Sequence, residues 1–125
     1  MMNSAFLLGN RRFDTRIPLE THISTFVLDQ PHRAITADIS ESGLYLQALP
    51  RAPLPPRTPI GVEIELPGFG ENIWIAGETC RETLDDYFHG LGIRFTTMAT
   101  LHKRMLRAFC RGARRRAAAR GRYFD

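Results

Sequence analysis

The chain of 125 residues contains little cysteine and no long uncharged segment. Its two cysteines, Cys80 and Cys110, form no CxxC or CxxH pair, which argues against a four-ligand zinc site. We expect both to be buried thiols. The longest run without Asp, Glu, Lys or Arg is the first ten residues. Because a membrane-spanning helix needs roughly 20 apolar residues, we expect no membrane span.

The same N-terminal segment lacks the features of a secretory signal peptide. No Lys or Arg precedes its short apolar patch, and the first basic residues, Arg11 and Arg12, follow it. We therefore expect a cytoplasmic protein. With 43% hydrophobic and 24% charged residues, the chain is predicted to form a single domain over residues 1–125, whose core needs neither metal nor disulfide.

Catalytic motifs are also missing from the sequence. It contains neither a GxxxxGK[ST] loop nor a GxGxxG loop. The acidic pair Asp85 and Asp86 stands in a turn context, where Asp is favoured for its local backbone hydrogen bonds. We interpret all four histidines as surface or turn residues, since none shows metal-ligand spacing or lies beside a nucleophile: His22, His32, His89 and His102. The sequence predicts no enzymatic activity, no cofactor and no metal.

Charge is distributed unevenly along the chain. The formal net charge is +4, but residues 1–102 carry 8 basic and 12 acidic residues, whereas residues 103–125 carry 9 basic residues and 1 acidic residue. A cluster such as Arg114, Arg115 and Arg116 could bind nucleic acid, an anionic lipid surface or an acidic partner protein. It could also be the solvated face of a terminal helix, which is the interpretation we favour.

Six segments have the alternation or the β-branched composition of strands. We place a turn at residues 30–32 and an irregular connection at residues 50–59, where five prolines prevent a regular ladder. In the later strands, Ile73 and Ile75 are predicted to face one way and Trp74 the other. The predicted strands cover residues 20–28, 33–39, 44–47, 62–66, 72–82 and 87–95.

After residue 95 the hydrophobic period changes to three and four residues, which is typical of a helix. Thr97 or Thr100 can cap it, and Gly121 is expected to end it. Its apolar stripe is predicted to contain Leu101, Met105, Ala108 and Phe109.

These elements predict a mainly β fold, a six-stranded antiparallel barrel with a C-terminal α-helix packed on it. We divide the chain into a flexible, arginine-bearing arm (1–18), the barrel (19–96) and a basic helix (97–120).

Two short polar segments are candidates for function: RRFDTR at residues 11–16 and DISESG at residues 38–43. Because side chains of an extended segment alternate, Asp38 and Ser40 are expected to share a face. Gly43 allows the backbone to turn, or a ligand to come close. Each segment alone also fits a structural interpretation, as a solvated terminus or as a turn whose side chains bond local backbone groups.

Together, RxxxR (Arg12 to Arg16) and DxSxxG (Asp38 to Gly43), separated by one strand and a turn, resemble the signature of the PilZ domain. That family is a bacterial receptor for the second messenger cyclic di-GMP, built as a six-stranded antiparallel barrel with a C-terminal helix. The resemblance covers most of the chain, including GIRFTT at residues 92–97 and the helix after it.

The resemblance implies a non-catalytic cyclic di-GMP receptor and assigns its site. Arg12 and Arg16 would contact phosphate and guanine, Asp38 and Ser40 would recognise guanine, and Gly43 would allow close backbone approach. Arginine suits this ligand because its guanidinium pairs with phosphate in a fork and stacks on purines.

In this family an arginine directly before RxxxR accompanies two intercalated ligand molecules, so Arg11 implies two molecules of cyclic di-GMP per chain. Ligand binding is expected to order the arm and to change the surface offered to an unidentified downstream protein. The alternative is a module that binds nucleic acid or an anionic surface through the basic helix; we regard a nucleic-acid partner as disfavoured.

Overall fold

The computed structural model describes residues 15–47, 54–84 and 89–124 of the chain. Within these ranges the alternating segments form seven strands, and the periodic C-terminal segment forms one helix. The elements are β1 (Ile17–Pro18), β2 (His22–Val27), β3 (Gln30–Ile39), β4 (Gly43–Gln47), β5 (Pro59–Glu65), β6 (Asn72–Leu84), β7 (His89–Met98) and α1 (Thr100–Phe124).

Six of these strands close into an antiparallel barrel. They follow one another in the order β3, β2, β5, β6, β7 and β4, and β4 pairs again with β3 to complete the ring. Closure gives each of these six strands a neighbouring strand on both sides. The predicted fold class, a six-stranded antiparallel barrel with a C-terminal helix, is confirmed.

The short strand β1 lies on the same side of β3 as β2. It pairs with the last two residues of β3, so that Pro18 lies opposite Asp38. The side chain of Thr36 bonds the backbone of the short segment between β1 and β2. Its hydroxyl donates to the carbonyl oxygen of Leu19 (2.5 Å) and accepts from the amide of Thr21 (3.0 Å). Two residues of the segment predicted as an arm therefore belong to the sheet.

Strand alternation fills the barrel with branched aliphatic side chains. Val62 of β5 is fully buried, and Ile73 and Ile75 of β6 are buried on either side of Trp74, which is 50% exposed. The predicted alternation of β6 is thus confirmed. Full burial of such an aliphatic side chain contributes about 1.5–3 kcal/mol, so this interior is the main source of the stability of the domain.

Helix α1 packs on the barrel through a stripe that is offset from the predicted one. Its buried residues are Leu106, Phe109 and Cys110, whereas Leu101 is 57% exposed and Ala108 is exposed. Two overlapping stripes at three- and four-residue steps exist in this segment, and the pattern alone could not distinguish them. The prediction was correct for Phe109 and wrong for Leu101 and Ala108.

The ends of α1 also differ from the prediction. Thr100 is its first residue, and the amide of Lys103 donates to the carbonyl oxygen of Ala99 (2.9 Å), while Thr97 still belongs to β7. The helix passes through Gly121, because one helical glycine costs only about 1 kcal/mol and its Arg and Ala neighbours favour helix. No helix in the described part of the chain is long and apolar enough to cross a membrane.

The turn between β2 and β3 lies at Leu28 and Asp29, so its predicted position at residues 30–32 was wrong. Both residues have positive φ angles, 51° and 64°, as in a type I′ hairpin turn. Such turns favour Asn, Asp and Gly, and only Asp29 fits this preference, so the sequence signal for the turn is weak.

Two further residues lie in other environments than predicted. Cys80 is exposed, at an irregularity in the pairing of β6 with β7, while Cys110 is buried as expected. His89, predicted as a surface or turn residue, is only 1% exposed. It starts the inward-facing row of β7, and its Nε2 lies 2.7 Å from a carboxylate oxygen of Glu82, which satisfies this buried ring nitrogen.

Candidate functional site

Arg16 and Asp38, one from each sequence motif, meet on the outer surface of the barrel. Asp38 lies near the end of β3, and Arg16 directly precedes β1, which pairs with that end. Nη1 of Arg16 donates to Oδ1 of Asp38 over 3.1 Å. The two side chains are 44% and 33% exposed, so this ion pair faces solvent. The fold therefore brings one residue of each motif together.

Ser40 organises the turn between β3 and β4. Its side chain is fully buried, whereas that of Asp38 is 33% exposed. The prediction that the two side chains share a face was wrong, because β3 ends at Ile39 and strand alternation does not extend to Ser40. Its Oγ accepts from the amides of Ser42 and Gly43, both at 3.2 Å, and lies 3.3 Å from the carbonyl oxygen of Gly43, to which it donates. Ser40 thus satisfies local backbone groups. Its role in guanine recognition stays a prediction.

Gly43 allows β4 to approach β7 closely. A Cβ at this position would run into the carbonyl oxygen of Ile93, a backbone atom that cannot move aside. The glycine is therefore needed by the barrel itself, whatever else approaches it. A close ligand approach at Gly43 stays a prediction.

The same turn is tied to α1 through Glu41, which the sequence analysis did not single out. One carboxylate oxygen lies 3.2 Å from Nε of Arg107, and the other lies 3.5 Å from Nη2 of Arg114. These arginines are two helical turns apart and share a face. Their spacing is visible in the sequence, but nothing there indicates that Glu41 lies opposite them.

An aromatic and an arginine extend the site across the barrel surface. Tyr45 lies opposite Asp38 in the pairing of β3 with β4, and on its other side it lies opposite Gly92 of β7. Gly92 in turn lies opposite Arg81 of β6, whose guanidinium carbon is 5.3 Å from the centroid of the Tyr45 ring. Sequence reasoning missed both residues, because cross-strand register has no local signal.

A groove of about 320 Å³ lies beside the β3–β4 turn, between the turn, β7 and α1. Its apolar wall includes Phe95 and Leu106, and Lys103 and Arg107 lie at its basic side. Glu41 and Ser42 of the turn, which follow Asp38 by three and four residues, also line it.

Some predicted residues lie outside the described part of the chain. These are Arg11 and Arg12 of the first motif and the acidic pair Asp85 and Asp86. Their predicted roles stay predictions. Among residues 15–47, 54–84 and 89–124, no group of three or more His, Cys, Asp or Glu residues could hold a metal ion.

The sequence profile of the PilZ domain matches residues 10–112, which is most of the chain and includes both motifs. The chain belongs to the PilZ domain family. The barrel, the Arg16–Asp38 contact and the first half of α1 all lie within the matched PilZ region. Comparison with curated protein sequences finds no match.

Solved PilZ structures share the fold at low sequence identity. The inhibitor of motility MotI/DgrA of Bacillus subtilis has a TM-score of 0.72 and 16% identity over 86% of this chain and 52% of its own. The PilZ domain of Escherichia coli YcgR with c-di-GMP has a TM-score of 0.63 and 17% identity over 89% of this chain and 97% of its own.

The PilZ domain of CeSA from a cellulose-synthesizing bacterium has a TM-score of 0.62 and 18% identity over 78% of this chain and 96% of its own. This chain spans about half the length of MotI/DgrA but nearly all of the two isolated PilZ domains. At these identities the likeness shows the fold alone.

Proposed function

We propose that this chain is a non-catalytic receptor for cyclic di-GMP, which binds on the barrel surface around Arg16 and Asp38. The observation that carries the proposal is the 3.1 Å contact between these residues, since it joins the two motifs at one place in a PilZ domain. The YcgR domain, which contains c-di-GMP, supports the choice of ligand.

The chemistry of the pair suits this ligand. Cyclic di-GMP offers two phosphates and two guanines. The Arg16 guanidinium can hold a phosphate in a bidentate fork or bond guanine at O6 and N7. The Asp38 carboxylate can accept hydrogen bonds from N1 and N2 of guanine, a donor pair that adenine does not present.

The ion pair of the free protein is easily exchanged for ligand contacts. A solvent-exposed ion pair contributes only about 0–1 kcal/mol, so opening the Arg16–Asp38 contact costs little. Ligand binding then releases Arg16 for phosphate and Asp38 for a guanine edge. The buried Ser40 turn keeps the end of β3 in place during this exchange.

The first arginines extend this proposal beyond the described residues. We propose that Arg11 and Arg12 join Arg16 on the ligand, that two molecules of cyclic di-GMP bind, and that binding orders the N-terminal segment. The surface reshaped in this way would contact a downstream protein. Amide hydrogen exchange of residues 5–16 with and without cyclic di-GMP tests the ordering step. Identical protection in both states would contradict it.

Isothermal titration with cyclic di-GMP tests the receptor proposal. We expect Arg16→Ala and Asp38→Ala each to weaken binding by about 1–3 kcal/mol, because each removes charge-assisted hydrogen bonds. Arg33→Ala is the matched control, since Arg33 is an exposed arginine nearer the other end of β3. The proposal would be refuted if the unmodified protein did not bind cyclic di-GMP, or if Arg16→Ala and Asp38→Ala bound it as tightly as Arg33→Ala.

A second candidate function uses the basic helix. Helix α1 contains nine basic and no acidic residues, and residues 115–119 are exposed. Binding of nucleic acid or another anionic surface here should weaken steeply with salt and be lost in Arg111→Gln/Arg115→Gln/Arg116→Gln. It should be insensitive to Asp38→Ala, which separates it from the receptor function.

A further inference from the structure

A row of side chains crosses the outer barrel surface from the candidate site. The strand registers place Asp38 of β3, Tyr45 of β4, Gly92 of β7 and Arg81 of β6 side by side. Neighbouring strands are about 4.8 Å apart, so Tyr45 follows Asp38 directly, while Arg81 is two strands further on. Nevertheless, the Arg81 guanidinium reaches back to within 5.3 Å of the Tyr45 ring centroid.

Two glycines of β7 make room for this contact. Gly90 and Gly92 face the same side of the strand, opposite to the buried side chains of Leu91 and Ile93. A Cβ at Gly90 would run into the Tyr45 hydroxyl, and one at Gly92 would lie 3.3 Å from Cβ of Arg81. The tyrosine ring and the arginine stem therefore lie over the bare backbone of β7. We call this arrangement the Tyr45–Arg81 platform.

Arg81 differs from Arg16 and Arg94 in its partners. Arg16 is paired with Asp38 and Arg94 with Glu78, but in the described part of the chain no carboxylate lies within ion-pair distance of Arg81. Its side chain is exposed. The guanidinium thus lies near an aromatic ring, on a side chain that solvent can reach.

We propose that the Tyr45–Arg81 platform is a stacking site for one guanine base of cyclic di-GMP. The base lies on the outer face of the Arg81 guanidinium, which Tyr45 holds in position from below. A planar cation on an aromatic ring is suited to a purine, since the guanidinium can stack on the face of the base and attract it by a cation–π interaction. Such stacking does not depend on which base is bound. The inference rests on the proposed receptor function and adds two residues that neither motif contains.

Titration of cyclic di-GMP into three Arg81 variants tests the platform. Loss of base stacking costs about 1–3 kcal/mol, or about 5- to 150-fold in affinity, and Arg81→Ala is expected to fall in this range. Arg81→Tyr keeps a planar surface without charge, whereas Arg81→Lys keeps the charge without the plane. We expect Arg81→Tyr to retain more affinity than Arg81→Lys, with Arg33→Ala as control.

The possible outcomes separate this inference from the receptor function. If the unmodified protein binds cyclic di-GMP and Arg81→Ala binds equally well, the platform is refuted and the receptor function stands. If Arg81→Lys retains full affinity while Arg81→Tyr loses it, Arg81 acts as a charge on phosphate and stacking is refuted. If the unmodified protein does not bind, the receptor function itself fails. Circular dichroism of each variant shows that the barrel is intact.

Discussion

The two turns that flank β3 differ in how much of the molecule they involve. The turn before β3 consists of Leu28 and Asp29, and Leu28 is 81% exposed. The turn after β3 contains the fully buried Ser40 and the carboxylate of Glu41, which reaches α1. The carbonyl oxygen of Ser42 also accepts from the amide of Phe95 in β7 (2.8 Å).

A hairpin needs only the first kind of turn. Two residues with positive φ reverse the chain between β2 and β3 without further support. The second turn instead joins β3, β4, β7 and α1, and it directly follows Asp38. The additional contacts hold one particular conformation of the backbone next to the candidate site, which is what preorganised ligand binding requires.

The largest expected effect in this comparison comes from Gly43→Ala. The added methyl would meet the carbonyl oxygen of Ile93, so β4 and β7 must separate, and we expect a loss of about 3 kcal/mol in unfolding free energy. Gly61→Ala is the matched control, since its Cβ would lie 3.6 Å from Cβ of Phe26, an ordinary contact. Urea denaturation of both variants measures the difference; equal midpoints would show that the second turn tolerates expansion.

Ser40→Ala should have the next largest effect. It leaves the amides of Ser42 and Gly43 without the Oγ acceptor at a buried position, which costs about 1–3 kcal/mol. Ser24→Ala on β2 is the control, because Ser24 is only partly buried there. Thermal unfolding and cyclic di-GMP titration of both variants would show whether the turn matters for stability, for binding or for both. No change in either would contradict the importance given to Ser40.

Replacement of both residues of the first turn, in contrast, should stabilise the protein. Leu28→Asn/Asp29→Gly introduces the residues that type I′ turns favour, at φ angles of 51° and 64°, and should add about 1 kcal/mol to the unfolding free energy. Cyclic di-GMP affinity should not change, because this turn lies at the end of β3 remote from Asp38. A loss of affinity in this double variant would mean that the two turns are not independent.

The contrast between the turns also explains what the sequence could reveal. Alternation predicted the barrel strands because each strand has one buried face, and the motif resemblance predicted that Arg16 and Asp38 belong to one site. The Leu28–Asp29 turn was missed because leucine is unusual at a positive φ angle.

The sequence did not predict the contacts between distant strands, or those between the barrel and the helix, for a different reason. The Tyr45–Arg81 contact depends on the register of two strand pairs, and the Glu41–Arg107 contact joins residues 66 positions apart. Strand register and the rotation of a helix about its axis depend on the packing of the whole core. For the same reason, the phase of the α1 stripe was wrong for Leu101, although the helix itself was predicted.

The smallest expected effect on stability is that of Glu41→Gln, which sharpens the comparison most. The ion pairs of Glu41 with Arg107 and Arg114 are partly exposed, so their loss should cost less than about 1 kcal/mol. Because Glu41 lies between Ser40 and Ser42, however, the same change removes the charge attraction between the second turn and α1. We therefore expect faster amide exchange in residues 104–114 at nearly unchanged global stability.

Glu78→Gln, which opens the Arg94 pair elsewhere on the barrel, is the control and should leave α1 exchange unaltered. Equal exchange of α1 in both variants would show that hydrophobic packing of Leu106 and Phe109 alone holds the helix, and that the second turn ends at the barrel surface as the first one does.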